Sequence, residues 1–213
     1  ARVQQRGQQP EPVLVPVSPT VPGAFFARID IAPDTVVATS GQSASFTAVG
    51  YDGQDNVVPN AIIGFISRNP ALVAVPSLGE GNVNLVGVRG STWLIAQSLT
   101  GVQDSANIEV LPRPSQLVKV SGDAQTALTA APFAQPLRVR VLAADGLPVA
   151  DWPVNFAVTS GGGSVSAGFV ASDSLGYAQV NWTAGLAPGA ASVTASIASP
   201  ALTAVFTGAQ LTT

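Results

Sequence analysis

The run Ala106-Asn107-Ile108-Glu109-Val110-Leu111-Pro112-Arg113-Pro114-Ser115-Gln116-Leu117-Val118-Lys119-Val120 carries two strand signals separated by two prolines. The left arm alternates apolar and polar residues, the period of a half-buried strand, and the right arm reads as the opening strand of another unit. Pro112 and Pro114 offer no backbone N–H to a ladder and hold φ at about −65°, so they stop one sheet and stiffen the connection to the next. The chain therefore divides into an N-terminal segment, 1–26, a first module, 27–111, a joint, 112–115, and a second module, 116–213. Pro112 and Pro114 are the stiff points of that interdomain joint. A joint this short predicts little independent tumbling and no pocket between the modules.

Upstream of the joint the period stays at two. Arg28-Ile29-Asp30-Ile31 alternates until Pro33-Asp34 breaks it, a short strand comes next at 36–38, and Ser40-Gly41 turns the chain. Ala44-Ser45-Phe46-Thr47-Ala48-Val49-Gly50-Tyr51 puts Ala44, Phe46, Ala48 and Gly50 on one face. Asp52-Gly53-Gln54-Asp55-Asn56 has the turn chemistry of a hairpin loop. Further strands are expected over 61–67, 72–75, 83–88 and 92–97, with Trp93 in the core. About seven short strands at this spacing predict an antiparallel sandwich.

Two runs in this module carry a family resemblance. Gly64-Phe65-Ile66-Ser67-Arg68-Asn69-Pro70-Ala71-Leu72-Val73-Ala74-Val75 resembles the signature of group 2 bacterial Ig-like domains, with Phe65 where that family usually has tryptophan. Val86-Gly87-Val88-Arg89-Gly90-Ser91-Thr92-Trp93-Leu94-Ile95-Ala96 is similar to the family's glycine-containing hairpin. The resemblance covers roughly 27–111 and implies an immunoglobulin-like sandwich.

Downstream, Leu137-Arg138-Val139-Arg140-Val141-Leu142 alternates cleanly, with Leu137, Val139 and Val141 inward and both arginines outward. The turn at Ala144-Asp145-Gly146-Leu147-Pro148-Val149 leads to a strand whose Val154, Phe156 and Val158 share a face. Gly161-Gly162-Gly163 reads as a flexible connection between strands. Val120-Ser121-Gly122-Asp123-Ala124-Gln125, Val154-Asn155-Phe156 with Ser160-Gly161-Gly162-Gly163, and Asp173-Ser174-Leu175-Gly176-Tyr177-Ala178 resemble the group 1 bacterial Ig-like domain of invasin and intimin passengers. That resemblance covers about 116–209 and implies a rod of tandem domains. The predicted fold is all-β: two tandem Ig-like antiparallel sandwiches behind an extended, proline-rich N-terminal segment.

In that segment Pro10, Pro12, Pro16, Pro19 and Pro22 favour extended or polyproline backbone over helix. Val13, Leu14, Val15, Val17 and Val21 are more apolar than a solvated linker needs. Two readings are open: a stiff leader without a partner, or an assembly segment that adds to a sheet edge or fills a groove.

Charge and composition remove whole classes of function. Only 10% of the 213 residues are charged, the net charge is −3, and Lys119 is the single lysine. No basic stripe exists to neutralise phosphates, so no nucleic-acid partner is expected, and an acidic surface suits anionic lipid poorly. No apolar run approaches the ~20 residues of a membrane-spanning helix, so membrane insertion is not expected. The sequence has no methionine, and Ala1 suits the residue after a signal-peptide cleavage site. The expected location is secreted: extracellular, cell surface or periplasmic.

With no His and no Cys, neither Ser-His-Asp nor Cys-His nucleophile systems nor structural zinc sites can be assembled. Lys119 lacks a Ser-x-x-Lys spacing. The loop 52–56 is the nearest approach to a calcium site, and its turn chemistry accounts for its composition. Asn181-Trp182-Thr183 fits a glycosylation sequon within a strand. No catalytic residue, metal ligand or cofactor is therefore expected, nor enzyme activity. The expected role is a structural protein of a bacterial surface or extracellular assembly, with copies of itself as partners, joined through the N-terminal segment into a filament or polymer. Two rivals stand beside it. One is an adhesin with a protein or glycan ligand on loops 52–56, 78–82 or 185–190. The other is an accessory subunit on the outer face of a membrane complex or virion.

Overall fold

Alternation fixes which side chains face inward, and the computed structural model, which describes residues 26–77 and 79–212, shows two β-sandwiches built on it. The first comprises β1 (Arg28–Ala32), β2 (Thr35–Thr39), β3 (Ser43–Ser45), β4 (Thr47–Tyr51), β5 (Ile63–Ser67), β6 (Val73–Ala74), β7 (Asn82–Leu85), β8 (Gly90–Ser98) and β9 (Gln103–Leu111). One sheet runs β2-β9-β8-β5; the other side is formed by the pair β1-β4 and the triplet β3-β7-β6. Ile29, Ile31, Phe46, Phe65, Val83 and Leu94 are among the residues that fill the space between. Each large apolar side chain buried this way contributes about 1.5–3 kcal/mol.

The second comprises β10 (Pro114–Ser121), β11 (Gln125–Leu128), β12 (Leu137–Ala143), β13 (Pro153–Ser160), β14 (Ser164–Val165), β15 (Phe169–Ala171), β16 (Tyr177–Val180), β17 (Trp182–Thr183), β18 (Gly189–Ile197) and β19 (Leu202–Leu211). Its sheets run β10-β12-β16 and β11-β19-β18-β13-β15, with β14-β17 as a small extra pair. Leu137, Val139 and Val141 are fully buried, as their alternation requires. Phe156, Phe206 and Trp182 complete the core, and Trp182 stacks on Phe133 with ring centroids 4.0 Å apart. Outside, Arg138 and Arg140 approach the Tyr177 ring at 3.7 and 5.1 Å.

Pairing is antiparallel throughout except at one strand of each module. β1 pairs antiparallel with β4, the chain crosses to the opposite sheet, and β2 then runs parallel to β9 from Thr35↔Asn107 to Thr39↔Leu111. The second module repeats the switch: β10 pairs with β12, and β11 then runs parallel to β19. Asp123 anchors that crossing by accepting hydrogen bonds from the Thr207 N–H at 2.9 Å and hydroxyl at 3.2 Å.

Three expectations are corrected. Trp93 is 43% exposed, because its neighbours Leu94 and Ala96 take the inward positions of β8 and period two leaves Trp93 on the outer face. The strands expected over 72–75 and 83–88 are shorter, since the N–H groups of Val86 and Gly87 both donate to the Leu72 carbonyl and turn the chain away. Gly161-Gly162-Gly163 is a packed connection. All three have φ between 69° and 89°, and a Cβ at Gly163 would meet the Thr183 carbonyl oxygen at 2.2 Å.

Candidate functional site

The joint is where sequence-distant residues converge. β9 ends at Leu111 and β10 starts at Pro114, so only Pro112 and Arg113 separate the two ladders. Pro114 is buried and faces Ala143 across the β10–β12 pair, so it belongs to the second sandwich. A proline is tolerated there because it opens an edge strand.

The turn that precedes β8 reaches across the joint. Val88 packs against the core of the second module. Next to it, Arg89 donates from Nε to Asp145 Oδ2 at 2.7 Å and from Nη2 to Asp145 Oδ1 at 3.0 Å. The same guanidinium donates from Nη1 to the Pro148 carbonyl at 3.2 Å. Asp145 is presented by its own turn, in which the Leu147 N–H donates to Oδ1 at 3.1 Å. The Arg89 hydrogen bonds are the main reason the Asp145 carboxyl is held below its ordinary range, with desolvation opposing them and the Leu147 N–H adding to them. Both side chains are about 30% exposed, 31% for Arg89 and 27% for Asp145, so the pair is partly shielded.

Clefts flank this contact, contrary to the expectation of a joint without a pocket. One, of about 560 Å³, lies between Thr39, Arg89 and Pro112 on one side and Pro148, Asp151 and Trp152 on the other. The second, of about 330 Å³, is lined by Ser40, Gln42, Arg113, Trp152 and Ser199. They exist because contact is made through the Arg89 turn and the two-residue linker, which leaves the space on either side of the linker unfilled. In the sequence Arg89 stands out only as part of a glycine-containing hairpin and Asp145 only as part of a turn. Nothing local in sequence links them, since the contact spans 56 positions.

A further cleft lies at the edge of the first sandwich. About 510 Å³ in volume, it is lined by Ile62, Ile63, Gly64, Ile66, Gln97 and Leu99, with Gly79 and Ser98 beside them. Ile62 is 58% exposed, Ile66 49% and Leu99 87%, a concentration of apolar surface beside an edge strand.

Among the described residues no three His, Cys, Asp or Glu side chains cluster. The loop 52–56 is closed by its own bonds: Asp52 Oδ1 accepts from the Asn56 and Gln54 N–H groups, both at 2.9 Å. Those bonds, Asn56 first, lower the Asp52 pKa. Lys119 is paired with Asp123 and donates to the Val205 carbonyl at 2.9 Å. Asn181 is exposed at the break between β16 and β17. Val13, Leu14, Val15, Val17 and Val21 lie outside the described residues, as does Leu78 in the loop 78–82.

No family model and no curated protein matches the sequence. Solved structures do. The chain superposes on FdeC, an adhesin of Escherichia coli, with a TM-score of 0.60 and 18% identity, over 85% of this chain and 63% of that one. It is also similar to the Yersinia pseudotuberculosis adhesin InvE, with a TM-score of 0.45 and 16% identity, over 85% of this chain and 58% of that one. A third likeness is to domains 4 and 5 of the S-layer protein SbsC, with a TM-score of 0.39 and 15% identity, over 88% of this chain and 100% of that one. The FdeC superposition shows a shared fold, an Ig-like β-sandwich.

Proposed function

We propose that this chain is a non-enzymatic structural element of a bacterial cell surface or extracellular assembly, in which two Ig-like sandwiches are held as one rod and copies join through the N-terminal segment into a filament or polymer. The observation that carries the rod is the joint. A two-residue linker, the Val88 contact and the bidentate Arg89–Asp145 pair act together across it. Three constraints on one short connection oppose the free rotation that is the default for tandem domains. The weakly acidic, His-free and Cys-free composition suits scaffolding and supplies no residue for His- or Cys-based nucleophile systems. The group 2 and group 1 Ig-like resemblances point to the same setting. Secretion to the cell surface, the extracellular space or the periplasm is part of this proposal.

The rod is tested by small-angle scattering on the full chain. A single narrow distance distribution that broadens on Asp145→Ala supports it; a broad distribution in the unaltered protein overturns it. Negative-stain imaging of the native material reads the assembly directly, with filaments expected and isolated single molecules counting against it.

A second reading, an adhesin, is favoured by the fold shared with FdeC. Its ligand would be a host protein or a glycan. A glycan array and a cell-binding assay with the chain lacking residues 1–22 separate the two, since retention of that variant needs a ligand site in the modules themselves.

A further inference from the structure

We propose that the open edge of β5 is the acceptor for residues 13–17 of a second copy of this chain, which add to the sheet β2-β9-β8-β5 as a fifth strand, antiparallel to β5. This rests on the assembly reading above and deepens it by naming both surfaces.

The acceptor is defined by hydrogen-bond parity. Among the described residues β5 pairs on one side only, with β8, in the register Ile63↔Ser98 to Ser67↔Leu94. The Arg68 N–H donates to the Trp93 carbonyl at 3.0 Å in continuation of that register. Backbone groups in an antiparallel strand alternate in direction, so Gly64 and Ile66 bond β8, while Ile63, Phe65 and Ser67 turn N–H and C=O to the open side. Such an edge is a template for another strand. Beside it lies the 510 Å³ apolar cleft bordered by Ile62, Ile66 and Leu99.

The donor has the matching parity. Pro10, Pro12, Pro16 and Pro22 stand at even positions, and Val13, Val15, Val17 and Val21 at odd ones. In an extended strand the odd residues then present their N–H and C=O to the acceptor, and the even prolines face away, where a missing N–H costs no ladder bond. Pro19 breaks the parity and ends the added strand. The remaining stretch, 13–17, has the five-residue length of β5. Antiparallel pairing sets Val13 opposite Ser67, Val15 opposite Phe65 and Val17 opposite Ile63. The valines extend the inward face, Leu14 comes beside Ile66 on the outer face, and Pro16 lies against the flat surface of Gly64.

The source is a neighbour because of where the chain enters the fold. The 25 residues outside the structure at this end lead to β1, which packs against β9, whereas β5 lies beyond β8 from β9. The chain's own segment would have to cross the end of the sandwich from β5 to β1 on residues 18–25, a path that about eight extended residues can span but that Pro19 and Pro22 stiffen. A neighbour's has no such restriction.

The sequence has no cysteine, so an engineered pair reports without background. Leu14→Cys and Ile66→Cys are placed in separate full-length copies and mixed under mild oxidation. Opposed residues at a non-hydrogen-bonded position are close enough for a disulfide. The expected result is a disulfide-linked heterodimer as the main product, its yield cut about tenfold when Ile62→Lys is added to the acceptor copy. A chain carrying both cysteines that closes only on itself, with no heterodimer in the mixture, assigns the edge to the chain's own segment and overturns the proposal. Absence of either disulfide, while deletion of residues 1–22 still abolishes assembly, overturns this acceptor and leaves the assembly reading standing. Assembly that persists after that deletion overturns both.

Discussion

Arg89 and Asp145, from different sandwiches, meet through two N–H···O bonds of 2.7 and 3.0 Å on one carboxylate. A planar guanidinium met in this way admits one approach, so the pair sets an angle as well as a distance. Arg89→Lys keeps the charge and loses the fork. It is expected to broaden the interdomain distance distribution in small-angle scattering almost as much as Asp145→Ala does, with the melting temperatures of both modules unchanged.

The same pair gives the joint an acid limit. Asp145 has its pKa lowered in the folded chain, mainly by the Arg89 hydrogen bonds. A lowered carboxyl pKa contributes order that is complete above the ordinary value of about 3.9 and is lost as pH falls through the lowered one. Scattering curves are therefore expected to coincide from pH 7 to about pH 4 and to broaden only below that. Broadening that sets in near pH 6 would show that another group governs the joint.

The two prolines of 111–114 are expected to behave differently. Pro112 lies between the ladders, so Pro112→Gly loosens the joint and leaves both sandwiches as stable as before. Pro114 is buried within β10, so Pro114→Gly destabilises the second sandwich by about 2 kcal/mol through lost packing and added chain freedom. Urea titrations of the two variants separate the effects.

Asp123 ties the crossing between β10 and β11 to β19, and its pKa is lowered to about 2, first by Lys119 and then by the Thr207 N–H. Its contribution is present above the ordinary carboxylate range and disappears as pH falls through about 2. NMR titration should find that midpoint in the unaltered chain and a clear upward movement in Lys119→Gln. An unchanged midpoint in that variant would remove Lys119 as the main cause.

Trp182 and Trp93 make a contrasting pair. Trp182 is fully buried against Phe133, and Trp182→Ala is expected to cost about 3–5 kcal/mol. Trp93 stands on the outer face of β8, and Trp93→Ala is expected to change stability by no more than about 1 kcal/mol. Denaturant midpoints for both variants give the comparison directly.

How much of this molecule was legible in advance depends on the range of the physics involved. Leu137, Val139 and Val141 could be placed inward because strand parity is local and six residues display it. Trp93 could not be placed from its size, since Leu94 and Ala96 determine its side of the sheet. The Arg89–Asp145 contact depends on two turns meeting across a joint, and no local period encodes that. The 52–56 turn was readable because Asp52 bonds backbone within four positions of itself. The apolar cleft beside β5 was hidden for the opposite reason. Ile62, Ile66 and Leu99 look like ordinary strand and turn residues until topology leaves β5 with a single neighbour, β8, among the described residues.

The parallel ladders β2–β9 and β11–β19 give both sandwiches a common response to tension. Each joins the start of a module to its last strand, and a pull along the chain draws β2 one way and β9 the other along their shared axis. Five residue pairs, Thr35↔Asn107 through Thr39↔Leu111, then carry the load together and must give way in shear, rather than parting one after another like a zip. In the second module Gln125↔Gly208 through Leu128↔Leu211 share the load in the same way. The chain is thus braced lengthwise at both of its sandwiches, and the two ladders resist the same direction of pull.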